Sequence, residues 1–118
     1  WKKRVVAVFQ PHTYTRTRDF YQEFGKSFFN ADMLIVTDVY PAREEPIQGV
    51  DGELIAEAAK KFGHKNVYYL KDKKDVPDFL IKNLGKDDLV ITLGAGDIYK
   101  FGEEFITKLK KQKVSKKK

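Results

Sequence analysis

The residues best equipped for chemistry stand together in Phe9-Gln10-Pro11-His12-Thr13-Tyr14-Thr15-Arg16-Thr17-Arg18: an imidazole, two guanidiniums and several hydroxyls in one short stretch. Guanidinium forks match the oxygens of carboxylates and phosphates. Arg16 and Arg18 fall at the start of an expected helix, the end where a cation is unfavourable unless an anion accompanies it. Their placement therefore points to an anion, although Asp19 could neutralise one of them. A histidine beside two such arginines is better placed for binding than a lone one. A second candidate is Gly94-Ala95-Gly96-Asp97, where glycines would let backbone approach a ligand closely. It is not a dinucleotide fingerprint, because the third glycine of that pattern falls at Tyr99. Asp97 would serve equally well as a helix cap. Asp38, Tyr40 and Arg43 form a third group, on a long polar loop.

The elements that must hold these residues alternate strand and helix. Arg4 to Phe9 is a short apolar run of buried-strand type, ended by Pro11, which has no N–H to give. Thr15 or Thr17 is expected to cap a helix over about 15–29, with Phe20, Phe24 and Phe28 recurring every four positions. Met33 to Thr37 is the second strand. The loop over 38–50 carries two prolines and a glycine and exceeds the usual length of such a connection, which suggests function or mobility. Asp51 is expected to cap a helix with Leu54, Ile55, Ala58 and Phe62 on one face, stopped by Gly63. Val67 to Leu70 is the third strand. A helix over about 74–84 places Val76, Phe79, Leu80 and Leu84 inward, and Asp88 to Leu93 is the fourth strand. A last helix carries Ile98, Phe101, Phe105 and Leu109 on one side.

This order predicts an α/β, Rossmann-like, three-layer domain with a mainly parallel sheet and helices on both faces. Right-handed crossovers would gather every strand-to-helix loop on one rim. That rim would hold His12 to Arg18, Asp38 to Glu45, Lys71 to Asp75 and Gly94 to Asp97, where open sheets bind ligands. His64, on the opposite rim, is given no role.

Charge narrows the function. Of 23 basic residues, seven are lysines within 108–118, where no acid occurs, so the body over 1–107 is close to neutral. The basic end reads as a frayed tail rather than a nucleic-acid face. With no cysteine, disulfides, thiolate metal sites and thiol nucleophiles are excluded. No metal-ligand spacing, Ser-His-Asp order or phosphate loop is present, and Glu44-Glu45 has no spacing that marks metal or acid-base work. No apolar run approaches the ~20 residues of a membrane span. Lacking an initiator Met, the chain is expected to be a fragment.

Three segments carry a resemblance: Val-Phe-Gln-Pro-His-Thr-Tyr-Thr-Arg-Thr-Arg-Asp at 8–19, Thr-Asp-Val-Tyr-Pro-Ala-Arg-Glu-Glu-Pro-Ile at 37–47 with Gly-Val-Asp following, and Thr-Leu-Gly-Ala-Gly-Asp-Ile at 92–98. In order and spacing they resemble the C-terminal domain of the Mur ligase family, in the branch that joins L-alanine to UDP-N-acetylmuramate. The resemblance implies a bacterial, cytoplasmic, ATP-dependent enzyme of peptidoglycan precursor synthesis. ATP and Mg would be bound mainly outside this fragment, which would be inactive alone. It also implies that His12 and Arg16 meet the incoming alanine, the arginine through its carboxylate, and that the loop of Gly94, Gly96 and Asp97 lines the same pocket; Arg18, Asp38 and Tyr40 are further substrate-binding candidates from their place on the rim. Many relatives have arginine directly after the histidine; this chain has Thr13, so one carboxylate contact is either absent or supplied by Arg18. The strand that opens the family's domain would precede Trp1, leaving a sheet edge open to self-association. The rival reading is a stand-alone nucleotide- or anion-binding regulatory module.

Overall fold

The computed structural model describes residues 4–85 and 88–94. Gly96, Asp97, the expected last helix and the lysine tail lie outside them. Four strands, β1 (Val5–Gln10), β2 (Met33–Thr37), β3 (Val67–Leu70) and β4 (Leu89–Gly94), alternate with α1 (Tyr14–Ser27), α2 (Gly52–Lys61) and α3 (Val76–Asn83). All pairings are parallel, in the order β3-β2-β1-β4.

Strand alternation divides the core between two faces. Ala7, Phe9, Leu34 and Val36 pack with Ile55, Ala56 and Ala59 of α2 and with Tyr21, Phe24 and Phe28 of α1. Val6, Val8, Met33 and Ile35 pack with Val76 and Leu80 of α3. Helices therefore cover both faces, as the strand and helix order predicts. Each fully buried Ile, Leu or Val contributes roughly 1.5–3 kcal/mol. At the crossing of α1 and α2, a Cβ on Gly25 would lie 2.8 Å from the Ala58 methyl and from the Ala59 amide. Only glycine lets these helices approach so closely.

Several local expectations are corrected. Thr13, not Thr15 or Thr17, is the N-cap of α1, its hydroxyl accepting from the Arg16 amide. Thr17 is buried and donates to the Thr13 carbonyl at 2.8 Å. Phe20 is exposed, and the inward stripe runs through Thr17, Tyr21, Phe24, Gly25 and Phe28, because a helical face advances by three and four rather than by four alone. In α2, Phe62 is likewise exposed, and alanines 56 and 59 complete the buried face beside Ile55 and Ala58. Asp51 sits at the N-cap position of α2 without a side-chain capping bond. β4 departs from the buried type: Leu89, Ile91 and Leu93, on the face shared with Ala7 and Phe9, remain 48%, 40% and 40% exposed.

At the rim away from the strand-to-helix loops, Arg4 and Asp88 tie the starts of β1 and β4 together at 2.7 Å. Asp88 also accepts from the Gly85 amide. The Arg4 guanidinium holds this carboxyl below its ordinary pKa, and the carboxylate raises that of the arginine. His64, buried on the same rim, accepts through Nδ1 from the Asn66 amide at 3.1 Å and shapes the turn into β3.

Candidate functional site

From β1 the chain winds through α1 and α2 outward to β3, then returns under α3 to β4 on the other side of β1. The order reverses between β1 and β4, and a crevice at the carboxyl ends of those strands is where open α/β sheets place ligands. There Gln10 pairs with Gly94. A Cβ on Gly94 would overlap the Gln10 carbonyl oxygen and come within 3.0 Å of its nitrogen, and Gly94 has φ +119°. The close approach that the glycine promises is thus present, with backbone rather than ligand on one side of it.

A cleft of about 300 Å³ opens at this point, lined by Phe9, Gln10, His12, Arg16, Phe24 and Gly94. Strand β1 supplies its floor, and the turn and first helical turn beyond Pro11 supply its polar wall. His12, Arg16 and Gly94 are therefore brought together. Arg16 makes no side-chain hydrogen bond or ion pair with any described residue. Arg18 is not brought to the cleft: it is exposed and bonded to Asp19 at 2.9 Å. Two positions after Arg16, it lies about 200° further round the helix and so leaves on the side away from the cleft.

The helix start itself is not vacant. Glu44 of the 38–50 loop accepts from the amides of Tyr14 (2.6 Å) and Thr15 (3.1 Å) through Oε1 and from the Thr15 hydroxyl (2.6 Å) through Oε2. These bonds, the Thr15 hydroxyl first, pull its pKa down. The amides of Arg16 and Thr17 are taken by Thr13. So the N–H groups that sequence reasoning offers to an outside anion are satisfied internally, and the side chains of Arg16 and His12 remain to meet a ligand. The same loop is stitched to the turn by backbone: Tyr40 N–H donates to the Pro11 carbonyl and Thr13 N–H to the Tyr40 carbonyl, both at 2.8 Å. The rings of Tyr40 and His12 stack with centroids 5.9 Å apart and planes 18° apart.

On the α3 side of the rim a wider cleft, about 500 Å³, is lined by Gln10, Thr37, Asp38, Val39, Tyr40, Pro41 and residues 71–73. Asp38 is committed to structure: its Oδ1 accepts from the Val39 amide at 2.9 Å and the Gly52 amide at 3.4 Å, capping α2 in place of Asp51. Burial, and then the charge of Asp38, raises the pKa of Tyr69. Gln10 is only 5% exposed, and its carboxamide oxygen has no hydrogen-bond partner among the described residues. Sequence reasoning passes over both Gln10 and Glu44. Nothing in the spacing of Glu44-Glu45 marks either as a cap, because the helix they would cap lies 30 positions earlier.

Residues 1–96 match the family described as Mur ligase, glutamate ligase domain. The chain belongs to that family. A UDP-N-acetylmuramate–L-alanine ligase of Salinibacter ruber is 56% identical over 104 residues, covering 88% of this chain and 22% of the relative. Enzymes of the same name from Geotalea uraniireducens and Geobacter sulfurreducens are 47% identical over 110 residues and 44% over 108, covering 93% and 92% of this chain and 24% and 23% of their own. The chain thus spans about a quarter of the length of the curated relatives it matches. No described helix of this Mur ligase domain is long and apolar enough to cross a membrane.

Proposed function

We propose that this domain serves an ATP-dependent bacterial ligase that joins L-alanine to UDP-N-acetylmuramate in the cytoplasm. Its part is to present the amino acid. The observation that carries this is the Arg16 guanidinium at the mouth of the switch-point cleft, free of any described partner, in a chain whose relatives bear that enzyme name. Arg16 takes the alanine carboxylate as a two-pronged ion pair. Phe9 and Phe24 offer an apolar wall to the methyl group, and His12 stands on the polar side near the amine.

Held by its carboxylate, the amino acid has its amine directed out of the cleft toward an acyl carbon. Nitrogen forms the new amide bond as the bond from the acyl carbon to the phosphate oxygen breaks, phosphate leaves with that electron pair, and the alanine ammonium loses two of its three protons to solvent, keeping the third as the amide N–H. Fixing the nucleophile removes most of the entropy of a two-body encounter, and closure over it excludes water. ATP, with magnesium, supplies the acyl phosphate and is bound mainly by parts of the enzyme outside this chain.

The test is Arg16→Ala in the complete ligase. A charge-assisted pair is worth ~1.5–3 kcal/mol, so the KM for alanine rises roughly 10–150-fold while that for ATP stays within about twofold. An unchanged alanine dependence refutes the assignment. The 118-residue chain alone forms no product from UDP-N-acetylmuramate, alanine and ATP; turnover by it would overturn the division of labour.

A further inference from the structure

Among the described residues, the non-glycine positions with positive φ are Thr13 (64°), Ala42 (49°) and Arg43 (77°). All three belong to the two segments that meet beside the cleft. Thr13 adds ψ 148°, a region that a β-branched residue enters only when its surroundings impose it. Ala42 and Arg43 fold the loop back on itself so that Glu44 reaches α1. The two unfavourable turns face each other, and the Glu44 carboxylate spans the gap between them.

We propose that Glu44 is a positioning residue for the amino-acid cleft, clasping the loop to α1 so that His12 and Arg16 are held at the spacing the ligand requires. This rests on the proposed role of that cleft. His12 is fixed from both sides by one loop residue, since Pro11 and Thr13 each bond the Tyr40 backbone, and its ring lies on the Tyr40 ring. Tyr40 is four residues ahead of Glu44. Arg16 follows immediately after Tyr14 and Thr15, the two residues whose amides Glu44 grips. The clasp therefore brackets each ligand-facing side chain without entering the cleft, whose lining excludes Glu44.

Four variants of the complete ligase test this. Glu44→Ala raises the KM for alanine about tenfold, with kcat and the KM for ATP each within about twofold. Glu44→Gln keeps an oxygen for the two amides and recovers most of the loss. Thr15→Val, which removes only the hydroxyl bond and keeps the residue's shape, raises the alanine KM by a smaller factor. The double variant Glu44→Ala/Thr15→Val is no worse than Glu44→Ala, because both act through one contact. In the same proteins, the upfield ring-current displacement of the His12 ring protons disappears with Glu44→Ala and returns with Glu44→Gln. A uniform loss across kcat and both KM values, an additive double variant, or an unmoved His12 resonance each overturns the proposal. Should Glu44→Ala fail to fold, Thr15→Val and Glu44→Gln decide the matter through the same KM and resonance measurements. If Arg16→Ala raises the alanine KM while Glu44→Ala is silent, the clasp is wrong and the cleft stands; if Arg16→Ala is silent, the reading of the cleft is wrong.

Discussion

Replacing Gly94 by alanine attacks the seam between β1 and β4 on which the cleft is built. Two costs arise from the geometry. A side chain at φ +119° is strained by ~1–3 kcal/mol. The added methyl meets the Gln10 carbonyl oxygen, carbon and nitrogen, all backbone and all at or inside 3.0 Å, so a strand must move; overpacking of this kind costs ~1–3 kcal/mol. Together they give roughly 2–6 kcal/mol, a large share of the ~5–15 kcal/mol that holds a typical domain folded. At about 4 °C per kcal/mol for a chain of this size, Tm falls by about 10–25 °C. Circular dichroism melts of the 118-residue chain measure it. Gly85→Ala is the control, since a Cβ there meets nothing within 4 Å, and its effect stays within ~0.5 kcal/mol. A Tm for Gly94→Ala within about 3 °C of the parent would show that the strands are not locked at this point and would refute the reasoning.

Other outcomes follow from the same structure. The Asp88 carboxyl, depressed by Arg4, contributes stability that is complete above its unfolded pKa of about 3.9 and is lost as pH falls through its lower folded value. Asp88→Asn is therefore less stable than the parent at neutral pH, and the difference closes below about pH 4 in urea titrations; a constant difference down to about pH 2 would contradict the pairing. The apolar, uncharged β4, with Ile91 40% exposed, favours association of the isolated chain, which Ile91→Lys weakens. Sedimentation that finds the parent monomeric at high concentration, or the variant equally associated, would count against that route.

Much of the architecture is legible from periodicity. Buried runs such as Met33 to Thr37 and the alternation with helical stripes dictate a parallel sheet with two covered faces, and the parallel order then gathers His12, Arg16 and Gly94. What escapes the sequence is long-range occupancy of hydrogen-bonding groups. The start of α1 looks open to an anion until Glu44, which no local pattern links to Tyr14, is seen upon it. Asp51 has the right type and place to cap α2, yet Asp38 reaches that helix from the far end of the loop. Arg16 and Arg18 are indistinguishable by composition. Only their angular positions on α1 separate the one lining the cleft from the one bonded to Asp19.

The loop after β2 ends up fastening two neighbouring helices at once, α2 through Asp38 and α1 through Glu44. Its length between those two acids is consequently a ruler. An extra residue between 39 and 43 would force one of the helices to lose its anchor, whereas among the described residues no hydrogen bond ties 45–49 to a helix, so there the same loop absorbs insertions at little cost in closure entropy. Variation in length among natural versions of this domain should thus fall on one half of a single loop and spare the other.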